Sequence, residues 1–316
     1  MDQNVIKILC AHGVPEEMKK RLAEIGQVFS LNSHDEVEIK EAIRDKHVFV
    51  VRSKPRVTRD IIESASQLKV VARPGVGIDN IDQEACREKG IRIINTPEAS
   101  TSSVAELTIG LAIALLRRIY YGCNLLKRGE WVKGKCTGRT IEGKTWGVIG
   151  FGGIGRRVAE LVKAFGAEVY AYDPYVEEGV FVEKGVRRAL SLNELLAKSD
   201  IVSLHVVLNQ ETENMISEEA ISKMKRGAYL INTSRGKVVD QKALYQALLS
   251  GQLGGVALDV YDTEPPTDQE LLGLENVICT PHIGGNTEEV FVRATDILIV
   301  KLKEVLGLSG GQPLGY

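Results

Sequence analysis

A chain of 316 residues with 44% hydrophobic and 26% charged side chains has room for one large or two ordinary globular domains. Its formal net charge of −2 gives no reason to expect nucleic acid or an anionic membrane as its main partner. Five scattered cysteines (Cys10, Cys86, Cys123, Cys136 and Cys279) form no C-x-x-C pair and read as free thiols of a reducing compartment. The opening MDQNVIKILCAHG has an acidic second residue and a short apolar run, unlike a signal peptide or a membrane span. The longest apolar stretch, from Val104, contains Glu106 and reads as too short to cross a bilayer. These features predict a cytoplasmic protein.

Along the chain, short apolar runs alternate with amphipathic segments. VIKILCA (5–11) predicts a strand. PEEMKKRLAEIG (15–26) predicts a helix opened by Pro15 and stopped by Gly26. HVFVVRS, LKVVARPG and IRIINTP predict three more buried strands. A long helix from Ser102 to about Arg118 follows. The rhythm then restarts, and TWGVIG, EVYAYD, DIVSLHV, AYLINTS, GGVALDV and NVICTPH predict six strands. Helical segments separate most of them, while the stretch before NVICTPH reads as a loop. A repeated βαβ pattern requires parallel sheets covered by helices, so the fold class is α/β, with two doubly wound parallel-sheet domains. The last amphipathic stretch, about Thr287 to Leu306, has no strand after it and is expected to return to the first domain. The expected division is 1–98 plus 286–316 for one domain and 99–285 for the other. The tail GLSGGQPLGY, without apolar periodicity, is expected to be flexible.

GVIGFGGIGRRVAELVKAFGAEVYAYDP contains Gly150-x-Gly152-x-x-Gly155. A strand precedes it, a helix follows it, and a second strand ends at Asp173. That full context is what a dinucleotide site requires. Gly150 permits a tight turn, Gly152 lets backbone amides approach a pyrophosphate, and Gly155 lets the helix pack closely. The helix N-terminus offers free N–H groups to phosphates. Asp173 can accept from the ribose hydroxyls and repel a 2′-phosphate, which predicts NAD over NADP.

Three further stretches end predicted strands: INTSRG with Arg235, DVYDTEPP with Glu264, and TPHIGGN with His282. Taken singly, each has a plain structural reading. Together they suit reduction of a 2-keto acid. Arg235 can hold a carboxylate in bidentate fashion and polarise the keto oxygen. Histidine titrates near neutrality, so His282 can donate the proton. Glu264 can orient the imidazole. Pro281 stiffens the strand exit, and Gly284 and Gly285 leave room for the chain to turn.

These stretches, with VVRSKPRVT, RPGVGIDNID, TPEASTSSVAELTIGLAIALLRR and ALDVYDTEPP, resemble the D-2-hydroxyacid dehydrogenases in order and over almost the whole chain. The phosphoglycerate dehydrogenase branch is the most similar. The resemblance implies a Rossmann NAD-binding domain and a flavodoxin-like substrate domain, with Arg235, Glu264 and His282 catalytic. It places Gly150, Gly152, Gly153, Ile154, Gly155, Asp173, His205, Thr233 and Asp259 around NAD. It places Arg52, Ser53, Arg73, Val76, Gly77 and Arg235 on the substrate, with backbone N–H groups of the RPGVGIDN loop at its carboxylate. Arg52 and Arg73, and less directly Lys133 from a neighbouring subunit, match positions that grip a substrate phosphate. No metal is implied, and a homodimer through the long helix is. The chain ends after one catalytic unit, so neither the regulatory domains of longer relatives nor feedback by serine is expected. Val207 stands where proline is usual. Gly153 replaces a common Arg or Lys, a loss that Arg156 can offset. The readings are oxidation of 3-phosphoglycerate at the entry to serine synthesis, the same chemistry on glyoxylate or hydroxypyruvate, or an NAD-sensing corepressor-like binding protein.

Overall fold

The structure is a computed structural model that describes residues 5–308. The expectation for the tail falls mostly on residues outside this range. The chain divides into two compact units, one formed by residues up to Ser100 and from Thr287 on, the other by Thr101–Asn286.

The first unit holds a five-stranded sheet of β1 (Lys7–Cys10), β2 (Gln27–Ser30), β3 (Val48–Val50), β4 (Val70–Arg73) and β5 (Arg92–Asn95). All pairs are parallel, in the order β2-β1-β3-β4-β5. This is the flavodoxin-like order, which changes direction between β1 and β3. Ile8 pairs with both Val28 and Val48, so β1 lies inside the sheet. Side chains alternate between two apolar layers. Leu9, Phe49 and Val71 face one, and Ile8, Cys10, Val48 and Val70 face the other. The helix Glu288–Val305 closes the second layer with Leu298, Ile299 and Leu302. Thr287 caps its start by accepting from the Val290 N–H.

The second unit holds a seven-stranded, all-parallel sheet of β6 (Thr145–Ile149), β7 (Glu168–Tyr172), β8 (Arg187–Arg188), β9 (Ile201–Leu204), β10 (Ala228–Asn232), β11 (Leu253–Leu258) and β12 (Val277–Cys279). The order is β12-β11-β10-β9-β6-β7-β8, so the direction of winding reverses between β6 and β9. An open parallel sheet binds ligands outside the carboxyl ends of its strands at such a reversal. Trp146, 0% exposed, anchors this centre and donates its indole N–H to Ser203 at 2.9 Å.

Four features differ from the expectations. β2 and β8 had no clear sequence signal: QVFS is half-exposed and RR is two polar residues at a sheet edge. The stretch before β12 carries a short helix, Gln269–Leu272. The first helix is Glu16–Leu22 and stops before Gly26. Gly26 instead lies against β1, where an added Cβ would stand 2.2 Å from the Ile6 carbonyl oxygen. Finally, the chain is helical from Pro97 to Leu116, 20 residues with composition and length enough for a membrane span. Shortness is therefore no argument against a span. In this structure Val104, Ala105, Thr108, Leu111, Ala112 and Leu115 are buried, and Thr101–Leu116 packs on the helix Gly153–Ala164 and on β10, β11 and β12.

Gly26→Ala should cost about 1–3 kcal/mol of stability through overpacking, read from the denaturant midpoint. An unchanged midpoint would show that β1 tolerates a side chain there.

Candidate active site

Six loops of the second unit leave the carboxyl ends of neighbouring strands and carry nearly all of its expected functional residues. The glycine loop follows β6. Gly150 has φ +88°, and an added Cβ would lie 2.7 Å from the His205 carbonyl carbon and oxygen. A Cβ at Gly155 would lie 2.0 Å from the Gly150 oxygen. Both glycines are therefore required by close backbone packing. Gly152 differs, because nothing approaches the place of its Cβ within 4 Å. It opens the helix Gly153–Ala164, which has no side-chain cap. The N–H groups of Gly153, Ile154 and Gly155 donate to no acceptor among the described residues. The loop is thus a cradle of backbone donors open on one side, which fits a pyrophosphate. The Arg156 Nε donates to the Phe151 carbonyl at 2.8 Å, which braces this loop.

Asp173 follows β7. Its Oδ2 accepts from the Phe151 N–H at 2.8 Å and its Oδ1 from the Tyr175 N–H at 3.0 Å. Two bonds leave a carboxylate acceptor capacity for ribose hydroxyls. His205 follows β9 and turns its imidazole inward, where Nε2 meets the Ser203 hydroxyl at 2.9 Å. Its Nδ1 is buried without a hydrogen-bond partner. What His205 presents beside the glycine turn is its backbone. Burial pushes its pKa down to about 3.

β10 ends in Asn232, and Asn232 shapes the turn that carries Arg235. Its Oδ1 accepts from the N–H and hydroxyl of Ser234 at 3.0 and 2.9 Å, and its Nδ2 donates to the Arg235 carbonyl at 2.8 Å. Arg235 Nη1 donates to the Ser234 carbonyl at 2.7 Å. The next residue, Gly236, lies flat on the loop after β11. A Cβ there would stand 1.9 Å from the Tyr261 carbonyl carbon and 2.3 Å from the Asp262 nitrogen. That contact brings the Arg235 turn against the loop that carries Glu264.

His282 follows β12 and has φ 53°, a left-handed conformation that histidine adopts more readily than most residues. Its Nδ1 lies 3.0 and 2.8 Å from the two oxygens of Glu264. An ionised carboxylate only accepts, so this contact places the proton on Nδ1 and leaves Nε2 to exchange a proton with a ligand. The two side chains are 45% and 40% exposed, so a small molecule can reach them. Glu264 Oε1 also accepts from the Tyr261 N–H at 3.3 Å. Asp259, 1% exposed, holds the histidine loop. Its Oδ1 accepts from the Thr280 hydroxyl at 2.6 Å and the Ile283 N–H at 2.8 Å, and its Oδ2 from the Gly284 N–H at 2.8 Å. The Ser103 hydroxyl donates to the Gly284 carbonyl at 2.6 Å. Gly284 is thus pinned: its added Cβ would lie 3.1 Å from Asp259 Oδ2. Thr233, 9% exposed, shares a 2.9 Å hydroxyl bond with Thr108.

The substrate residues expected in the first unit lie at the carboxyl end of its sheet. Arg52 and Ser53 follow β3, and Arg73 ends β4. Arg52 is half-buried and Ser53 exposed. The Asn80 side chain donates to the carbonyls of Arg52 and Pro55 at 2.9 and 3.0 Å. The Asn95 side chain donates to the Val76 carbonyl at 2.7 Å. The N–H groups of Val76 and Gly77 donate to no acceptor among the described residues. The peptide between them therefore turns its N–H away from Asn95, as an oxyanion loop needs.

A loop of bare helix N–H donors beside a carboxylate, and an imidazole oriented by a second carboxylate, fit a dinucleotide-dependent oxidoreductase. Comparison with known proteins narrows the class. The family described as "D-isomer specific 2-hydroxyacid dehydrogenase, NAD binding domain" matches residues 109–284. D-3-phosphoglycerate dehydrogenase of Methanocaldococcus jannaschii is 46% identical over 96% of this chain, which spans 58% of that relative's length. Hydroxypyruvate reductase of Thermotoga maritima is 44% identical over 86% of this chain and 88% of its own. The structure of D-lactate dehydrogenase from Aquifex aeolicus, complexed with NAD and lactic acid, superposes with a TM-score of 0.84 at 34% identity and 95% coverage of each chain. The chain belongs to the D-isomer specific 2-hydroxyacid dehydrogenase family, and its cofactor is NAD.

His205 provides a test of the site's packing. Its folded pKa lies below the unfolded value, so the unfolded chain binds more protons between pH 6.5 and about 3. Stability should fall as pH falls through that window, and His205→Gln should flatten the fall by up to about one proton. Parallel stability–pH curves for the two proteins would refute the buried, neutral imidazole.

Proposed function

We propose that the protein oxidises 3-phosphoglycerate to 3-phosphohydroxypyruvate, the entry to serine synthesis, and catalyses the reverse reduction. NAD, held by the residues named next, would supply the hydride acceptor for oxidation at C2 and, in its reduced form, the hydride donor for the reverse reaction. Gly150, Gly152, Gly153, Ile154 and Gly155 would hold the pyrophosphate, with Asp173 at the ribose. Thr233 and Asp259 would lie on the nicotinamide side. In the oxidation, His282 Nε2 takes the proton of the C2 hydroxyl as the C2–H bond breaks. In the reduction it gives that proton to the keto oxygen. Glu264 stabilises the imidazolium formed in the first case and keeps Nε2 directed outward in both. Arg235 holds the substrate carboxylate and polarises the C2 oxygen. The N–H groups of Val76 and Gly77 would assist at the carboxylate, and Ser53 would also bind the substrate. Arg52 and Arg73 would take the phosphate. The observation that carries this reading is the His282 Nδ1 contact with both Glu264 oxygens.

Reduction of unphosphorylated hydroxypyruvate is the second reading, favoured by the 44% identity to the T. maritima relative. We further propose that the expected homodimer uses the segment after the long helix. Half of the residues of the helix Thr101–Leu116 are buried in its own unit. Ile119, Tyr120, Leu126 and Trp131 are 52–81% exposed on the segment that follows, and we assign the dimer contact to them.

His282→Gln should lower turnover by about 10²–10⁴-fold while NADH affinity stays within about threefold, because proton transfer alone is lost. Substantial residual turnover would remove His282 from this role. Asp173→Ala should raise the rate with NADP relative to NAD. An unchanged preference would remove Asp173 from the ribose. Equal kcat/KM for phosphohydroxypyruvate and hydroxypyruvate would refute phosphate recognition.

A further inference from the structure

Arg52 is half-buried in the first unit, and burial pulls its pKa below the ordinary guanidinium value with no acidic neighbour among the described residues acting against it. Among the described residues its side chain makes no hydrogen bond or ion pair and rests on an aromatic ring. The guanidinium carbon stands 5.1 Å from the centroid of Phe291. A cation resting on a ring is held by the ring's quadrupole and gives up no N–H to the contact. All five donors of the fork stay available for an oxyanion, as a salt bridge to a carboxylate would not allow.

Both partners are fixed from behind. Asn80 holds the Arg52 carbonyl at 2.9 Å. Phe291 sits in the first turn of Glu288–Val305, a helix capped by Thr287 and fastened to the sheet through Leu298 and Leu302, both 0% exposed. The ring is a platform on a rigid element, and it limits the rotamers open to the longer arginine side chain.

We propose that Phe291 is a specificity-determining positioning residue, which holds Arg52 so that its N–H groups face the phosphate end of the substrate. The proposal rests on the reading of Arg52 as a phosphate grip. Without the ring the same arginine samples many rotamers and must be ordered by the substrate, which weakens binding of the phosphorylated acid alone. Effects on Phe291 therefore pass through Arg52 and are selective for phosphate.

The test measures NADH-dependent reduction of phosphohydroxypyruvate and of hydroxypyruvate by the full chain and by Arg52→Ala, Phe291→Leu, Phe291→Met and Phe291→Tyr. We expect Phe291→Leu and Phe291→Met to raise KM for phosphohydroxypyruvate about three- to tenfold, with kcat and the hydroxypyruvate KM within about twofold. Phe291→Tyr keeps the ring and should retain the parental KM. If Arg52→Ala is phosphate-selective and neither Phe291 variant is, the positioning role is overturned and the phosphate grip stands. If Arg52→Ala itself is not selective, the grip fails and this inference fails with it. A Phe291 variant that impairs both substrates equally also overturns it, because a merely structural residue behaves so.

Discussion

The carboxylate of Asp259 is the contact on which the histidine loop depends. It is almost fully buried, and a carboxylate so placed must replace its lost water with donors. The donors come from one short stretch: the Thr280 hydroxyl before His282, and the Ile283 and Gly284 amides after it. The loop is therefore clamped on both sides of the histidine, which lets His282 occupy a left-handed conformation it would not hold alone. From there its Nδ1 reaches Glu264. The direction of the imidazole follows from a buried charge at the end of β11, one strand away.

The same logic organises the rest of the second unit. Where the chain must pack backbone on backbone, it places glycine: Gly150 against His205, Gly155 against Gly150, and Gly236 against Tyr261. Where donors must stay open, side-chain caps are missing, as at the start of Gly153–Ala164. Other helices of the unit are capped, as where Asp240 accepts from two N–H groups at the start of Gln241–Leu249 and Ser191 from one at the start of Leu192–Lys198, although Ile119–Lys127 and Glu178–Glu183 also lack a side-chain cap. In the first unit, Asn80 and Asn95 take backbone carbonyls and so direct other groups outward.

Much of this was legible in the amino-acid order. Buried parallel strands read as unbroken apolar runs, so VFVV, VVA and AYLI announced β3, β4 and β10. The glycine fingerprint declared its own geometry, since each glycine answers a local steric demand. β2 and β8 were not legible, because an edge strand with exposed polar residues lacks an apolar run. Gly26 resembled a helix stop, and its real reason, contact with Ile6, lies 20 positions upstream. Asn232 and Gly236 did carry a signal, as residues on either side of the Arg235 turn. Phe291 carried none: an aromatic in the first turn of an amphipathic helix reads as core, and its pairing with Arg52 spans most of the chain. Site chemistry of this kind needs the three-dimensional contact.

The central claim is that Glu264 fixes the tautomer of His282, so that Nε2 is the atom that exchanges the proton. The direct measurement is the ¹⁵N NMR spectrum of histidine-labelled protein with the neutral His282 resonances assigned. The account predicts a protonated, pyrrole-type Nδ1 and an unprotonated, pyridine-type Nε2, with the Nδ1 signature lost in Glu264→Gln. A neutral His282 protonated at Nε2, or one unaffected by Glu264→Gln, would contradict it.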